Sequence, residues 1–348
     1  MTRMRFGLNV ALKIMSKIID KVLSLDEQIC NGTDHYIDDI WVNEEVVQAD
    51  VGRAHLLRFG LVAKDPLTLS DTCVLGLRVN NAEDDQYNWK RDGDLPVVSE
   101  NVTKRDLFSI CGKLVGHYPV AGWLRVACSY VKRLTNDIDW SETVPSSVKS
   151  LLDEVFQRVQ EQDPVRDKWD VKKTSQCTVW CDASNLALGV SLEVDGYTVE
   201  DAAWLRREDD GAHINVAELE AALKGINLAL AWKMTNVQVI TGSATVYGWK
   251  NSVIEDTKRP KVTGLSELII RRRLGIIGQL IDEYGLTLMI TLVPSGENKS
   301  DVLTRVPKKW LQVVACSGVV LSNTDEIEDV KKVHQDTHFD VRKTLYLA

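Results

Sequence analysis

The chain has 348 residues, enough for two or more domains, each with its own core. Its 44% hydrophobic and 26% charged residues are ordinary for a globular protein, and no apolar run is long enough to span a bilayer. A formal net charge of −8 excludes a protein that coats nucleic acid by bulk charge, so any such contact must come from local basic clusters.

The opening, MTRMRFGLNVALKIMSKIID, combines early basic residues with an apolar stretch. Lys13 and Lys17 interrupt that stretch and no small-residue cleavage site follows, so an amphipathic helix is expected and not a signal or transit peptide. HYIDDIWVN (35–43) reads as strand–turn–strand with Asp38 and Asp39 at its tip, and TCVLGLRV (72–79) as another strand. Residues 103–135 have helical periodicity on both sides of a Pro119/Gly122 break, and the charged stretch 157–173 reads as a linker. The seven cysteines (30, 73, 111, 128, 177, 181 and 316) contain no C-x-x-C pair, which implies reduced, inert thiols and an intracellular location, cytoplasmic or nuclear.

From residue 177 the pattern changes. CTVWCDAS and LALGVSLEV are strands, and Asp195-Gly196 is a hairpin signal leading into a third strand, YTVEDAAWL. A helix follows from Asn215 to about Trp232, with Val216, Leu219, Leu223, Ile226 and Leu230 forming its core-facing stripe. A strand at 237–241, a helix capped by Ser243, a long helix at 264–284 and a last strand at 286–293 complete the segment. This order predicts an α/β (α+β) fold, a mixed five-stranded sheet with helices packed on it.

Three acids stand at element ends: Asp182 closes the first strand, Glu218 sits in the first turn of the 215–232 helix, and Asp301 follows the last strand. If the sheet brings them together, their mutual repulsion calls for a divalent cation such as Mg²⁺ or Mn²⁺, and metal-assisted phosphodiester cleavage becomes the natural chemistry. Each acid also has a plainer reading. Asp182 would cap the turn 182–185, Glu218 would be the third residue of a capping box begun by Asn215, and Asp301 would cap a helix starting near Val302. Spacing does not choose between these readings. Candidate nucleic-acid contacts are Lys258, Arg259 and Lys261, then Arg271, Arg272 and Arg273, then Lys308 and Lys309; a solvated helix face is the alternative for each cluster. Trp249 is a stacking candidate, with core packing as its alternative.

CDAS, NVAELEA, TGSATVYGW and ENKSDVLTR, in that order, resemble the ribonuclease H domain of the polymerase polyprotein of long-terminal-repeat retrotransposons and retroviruses. The resemblance implies that Asp182, Glu218 and Asp301 are the first, second and fourth metal-binding acids. Gly242 stands in the third position, where the family has an aspartate. HYIDDI resembles the Y-x-D-D hairpin of reverse transcriptases, which makes Asp38 and Asp39 polymerase metal ligands by implication. MRFGLNVAL resembles an M-P-F-G-L-x-x-A-P segment, with Arg5 and Leu12 replacing the prolines, and VLGLRV resembles the primer-gripping hairpin. HQDTHFDVRKTLYLA is similar to the start of an integrase zinc module, with His334 and His338 as its histidines. No C-x-x-C follows, so zinc binding is not expected.

The implied order of domains is that of gypsy, Pao and retroviral elements. Residues 1–90 would be the C-terminal half of a polymerase palm, 91–156 thumb or connection helices, 157–173 the linker, 174–315 the ribonuclease H-like domain and 320–348 the truncated zinc module. The first palm strand, with another metal-binding aspartate, would lie before Met1. The expectation is a weakened metal-dependent activity on RNA–DNA hybrid, with DNA synthesis not expected of this chain alone. The alternatives are a module that grips hybrid or single-stranded nucleic acid without cutting, or a decayed element with no selected role.

Overall fold

The computed structural model describes residues 9–81, 86–170, 174–253 and 267–315. The Lys258–Lys261 cluster, His334 and His338 lie outside the described residues, as does most of the MRFGL segment. The chain divides into two compact units, Met1–Thr72 and Cys73–Ala348.

In the first unit, helix α1 (Asn9–Leu23) is amphipathic as its sequence requires, and Ile19, Val22 and Leu23 are buried with Ile29, Val47 and Leu56 in a small core. Helix α2 (Glu27–Gly32) leads into a two-stranded hairpin, β1 (Thr33–Tyr36) and β2 (Asp39–Val42), paired from Thr33↔Val42 to Tyr36↔Asp39. Ile37 and Asp38 make the turn, with Ile37 at φ 60°, so the expected hairpin is present with both aspartates at its tip. Helix α3 (Ala49–Arg58) follows.

In the second unit, β3 (Thr72–Val74), β4 (Leu77–Asn81), β5 (Gln86–Arg91) and β6 (Arg166–Asp170) form a four-stranded sheet in that order. The stretch read as a single strand at 72–79 is a hairpin, because Leu75 and Gly76 both take positive φ. Helices α4 (Lys104–Val115) and α5 (Trp123–Arg133) flank the expected Pro119/Gly122 break, and α4 opens on a capping box made by Thr103 and Asp106.

The linker reading is corrected for 157–161 and 166–170. Residues up to Glu161 complete helix α6 (Ser146–Glu161), whose Leu152, Val155 and Val159 are buried, and β6 pairs with β5. The charges that suggested a linker are the outer face of an amphipathic helix: Arg158 stacks over Trp123 at 3.8 Å while its neighbour Val159 faces inward.

Strands β7 (Gln176–Ala183), β8 (Ala187–Val194) and β9 (Tyr197–Leu205), helix α7 (Ile214–Ala231), β10 (Asn236–Thr241), helices α8 (Ala244–Val253) and α9 (Glu267–Tyr284), and β11 (Thr287–Leu292) follow the expected order. They build a five-stranded sheet ordered β11-β10-β7-β8-β9, in which β10 is parallel to β7 and β11 while β8 and β9 run antiparallel. Two glycines permit close approach. A Cβ on Gly225 of α7 would lie 2.3 Å from Val179 Cγ1, so this helix rests directly on β7. A Cβ on Gly189, paired with Asp182 across β8, would lie 2.7 Å from Leu303 Cβ, so the 3-10 turn Lys299–Leu303 lies flat on the sheet.

This sheet and the α4–α6 helices share one core. Ala187 of β8, Val306 in the segment before helix α10 (Lys308–Ala315) and Trp310 of that helix are buried with Leu107, Leu124, Val131 and Leu152. Trp310 is 1% exposed; its indole N–H donates to Glu154 at 2.9 Å and its carbonyl accepts from the Tyr130 hydroxyl at 3.2 Å. Asp201 of β9, 3% exposed, accepts the backbone N–H groups of Ala121 and Gly122 and the guanidinium of Arg125. Without those donors it would be an unpaired buried charge, which makes the joint specific. Residues 174–315 alone are therefore expected to aggregate or melt well below a 73–315 fragment. In the full chain, Trp310→Ala should cost about 3–5 kcal/mol and shift the helices and the five-stranded sheet together in one urea transition; two separate transitions would refute the shared core.

Candidate active site

Asp182, Glu218 and Asp301 occupy neighbouring segments at one end of the five-stranded sheet. Asp182 is the penultimate residue of β7 and is 6% exposed, although Ala183 and not a turn follows it. Its Oδ2 accepts the Thr304 hydroxyl at 2.6 Å, so it is held across the sheet and does not cap the 182–185 turn. That turn is organised by Ser184, whose hydroxyl accepts from the Leu186 and Ala187 N–H groups.

Glu218 has no part in a capping box. Helix α7 starts one residue before Asn215 and its cap is His213, whose Nδ1 accepts the Asn215 N–H at 3.2 Å. This places Glu218 beyond the first turn, and its Oε2 is buried with no hydrogen-bond partner. Asp301 does not cap a helix either: Asn298 caps the 3-10 turn by accepting from the Ser300 N–H, and Asp301 lies within it. The Arg305 guanidinium sits 2.5 Å from Asp301 Oδ1, an ion pair whose geometry leaves that oxygen without an aligned hydrogen bond.

Electrostatics ties the three acids together in pairs. Burial, and after it the charge of Asp182, pushes the Glu218 carboxyl up to about 8. Burial also raises Asp182; the Thr304 hydroxyl opposes this and the charge of Asp301 adds to it. Glu218 thus feels Asp182, and Asp182 feels Asp301. Among the described residues, however, no three His, Cys, Asp or Glu side chains stand close enough together to hold a metal ion. The closed three-acid ligand set expected from the sequence is corrected to two adjoining carboxylate pairs. The unpartnered Glu218 Oε2, beside a second raised carboxyl, nonetheless suits a divalent cation, whose charge would relieve both.

Gly242 follows Thr241, which pairs with Cys181 in the parallel β10–β7 ladder, so the glycine stands level with Asp182 on the next strand. Its φ is not in the left-handed region, and an added Cβ would meet only Ser295 Cα at 3.7 Å and Asn298 Nδ2 at 3.9 Å, both ordinary contacts. An aspartate fits there without backbone strain.

The other expected site residues scatter. Asp38 and Asp39 are exposed on the hairpin of the first unit, with no third metal-binding side chain grouped with them among the described residues. Arg271 pairs with Glu267 at 2.5 Å and Arg273 pairs with Glu220, so two of the three arginines expected to face nucleic acid are engaged by acids; Arg272 is exposed. Lys309 pairs with Glu154 at 3.0 Å and Lys308 is exposed. Trp249 is 8% exposed and packs in the core, the plainer of its two readings. A cleft of about 450 Å³ lined by Arg91, Lys113, His117 and Tyr118 contains none of the expected site residues. Thr304 and Arg305 were not anticipated, although both follow Asp301 within four residues and could be reached by asking what satisfies a buried carboxylate.

A domain family of unknown function (DUF7047) matches residues 103–161, the stretch of α4 to α6. No curated protein matches the sequence. Among solved structures, a foamy viral protease-reverse transcriptase in complex with RNA/DNA hybrid superposes with a TM-score of 0.60 at 14% identity, over 88% of this chain and 40% of that one. The same kind of protein in complex with dsDNA gives 0.58 at 15% identity, over 84% and 61%. The chain therefore has a reverse transcriptase and ribonuclease H-like fold, and it spans about half the length of these foamy viral chains. No helix among the described residues is long and apolar enough to cross a membrane.

Glu218 binds its proton more tightly folded than unfolded, so its contribution to stability is complete below the ordinary carboxylate range and is lost as pH rises toward about 8. Glu218→Gln should remove that slope and stabilise the chain at pH 8 by an amount on the order of 3 kcal/mol. Chemical denaturation at pH 5 and pH 8 checks this, and equal pH slopes for the two proteins would refute it.

Proposed function

We propose that the chain is a retroelement polymerase piece of the reverse transcriptase and ribonuclease H lineage, in gypsy or Pao domain order, whose residues 174–315 act on RNA–DNA hybrid. The observation that carries the reading is the juxtaposition of Asp182 and Glu218, with Glu218 Oε2 unpartnered, at the sheet end where Gly242 leaves room for another acid. The fold likeness to a protein solved on RNA/DNA hybrid supports the substrate class. Asp182 and Glu218, with Asp301 adjoining Asp182, would hold a divalent cation, Mg²⁺ or Mn²⁺. When bound, such an ion supplies charge for generating hydroxide from water and for the leaving oxygen.

The chain's own residues prepare that site. Thr304 fixes Asp182 through Oδ2, and α7 brings Glu218 against it. Arg305 pairs with Asp301. Gly242 offers no ligand, so ion occupancy and hydrolysis are weakened. Under this reading 1–90, 91–156 and 320–348 keep the palm, thumb and zinc-module assignments.

Hydrolysis of a labelled RNA–DNA hybrid in Mg²⁺ by the full chain should be weak, and Gly242→Asp should raise it by about two orders of magnitude. Parent and variant cutting at the same rate would overturn the lost-ligand reading. A second reading, hybrid binding without cutting, is favoured by the absence of a three-residue ligand group among the described residues. It predicts salt-dependent hybrid affinity and no cleavage even with Asp at 242.

A further inference from the structure

The three acids lie on segments that the sheet ladder does not fasten to one another: the end of β7, the start of α7 and the turn after β11. Arg206, the residue after β9, is 8% exposed and reaches the first two. Its Nη1 donates to the carbonyl of Ser184 at 3.1 Å, two residues past Asp182. Its Nη2 donates to the carbonyl of Ala212 at 2.6 Å, next to the His213 cap of the helix that bears Glu218. Its Nε donates to Asp210 at 2.9 Å, and Asp210 in turn accepts the Ala212 N–H at 3.0 Å. The third segment is closed by Ser184, whose hydroxyl donates to the Thr304 carbonyl at 2.7 Å. Arg206 is itself seated: its N–H donates to the Leu186 carbonyl at 2.9 Å, and its carbonyl accepts from Arg133 of α5 at 2.9 Å.

This arrangement has a specific mechanical meaning. Like charges on neighbouring segments repel, so segments that carry them need fixed backbone ties to stay close. A guanidinium is a planar, permanently charged fork, suited to holding two carbonyls at fixed separation where a single point donor would not. Arg206 touches neither acid, so it cannot serve as a ligand. Its bonds bear only on where the two backbones sit.

We infer that Arg206 is a positioning residue for this site: seated by Arg133, it sets the spacing between the Asp182 strand end and the Glu218 helix start, with Ser184 extending the tie to the Asp301–Thr304 turn. The inference rests on the metal-dependent nuclease reading. It gives the α4–α6 helices, the stretch matched by the family of unknown function, a role in the geometry of the acids through Arg133.

The test uses the full chain carrying Gly242→Asp, with Mn²⁺ affinity read from the free-ion paramagnetic resonance signal at a temperature well below the melting transition. Adding Arg206→Lys should weaken Mn²⁺ binding by about 10-fold, while far-ultraviolet circular dichroism shows the same folded chain. A purely structural role would lower the melting temperature and leave the Mn²⁺ dissociation constant unchanged, and that result overturns the inference. If Arg206→Lys does not fold, Ser184→Ala and Arg133→Gln take its place, each expected to weaken Mn²⁺ binding and each overturning the inference if the affinity holds. A Gly242→Asp parent with no Mn²⁺ site at all would overturn the nuclease reading, and this inference with it.

Discussion

The second unit is organised around the burial of like charge. Asp182 and Glu218 are withdrawn from water at the end of a hydrophobic sheet, where burial makes both harder to ionise and the charge of Asp182 adds to the effect on Glu218. A sequence selected only for stability would fill such a place with apolar side chains, since isolated buried carboxylates carry a large desolvation cost. Here the surroundings are built to tolerate them: a threonine hydroxyl for Asp182, an arginine beside Asp301, and backbone ties among the segments that carry them. Perturbed acids grouped in this way mark a candidate functional site.

The same unit shows why such a site needs more than its own domain. The five-stranded sheet is covered on one side by α7 and α9, while α10 and one sheet edge are buried against α4 to α6. Asp201 and Trp310 fasten that contact with polar bonds. The helices read as a thumb are therefore part of the support of the ribonuclease H-like sheet, and the turn bearing Asp301 is pressed between them.

Much of this was legible in the sequence, for reasons that differ by element. The period-2 strands at 176–205, the Asp195-Gly196 turn and the 3.6-period stripe on α7 are local signals that burial reinforces, and each element formed where the pattern put it. The end of the amphipathic α6 was missed because its charged outer face dominates the reading at 157–161, and β6 because pairing with β5 is a long-range fact that no local pattern carries. For the acids, strand and helix ends were readable, but not the partners. Thr304 reaches Asp182 across 122 residues, and the Arg271 and Arg273 charges are taken up by Glu267 and Glu220, so free-looking cations in the sequence were already engaged.

Gly189 carries a consequence for how a centre of this kind can be lost. Its missing side chain is what lets the Leu303 and Thr304 side chains and the Ser300 carbonyl settle onto β8, directly opposite Asp182. The nearness of two acids is thus set by a hydrogen atom where most residues have carbon. A single methyl there would lift the turn off the strand and part the carboxylates without altering one of them. Inactivation in this architecture can proceed by gaining bulk at a silent position as readily as by deleting an acid, and an inventory of acidic residues alone would miss it.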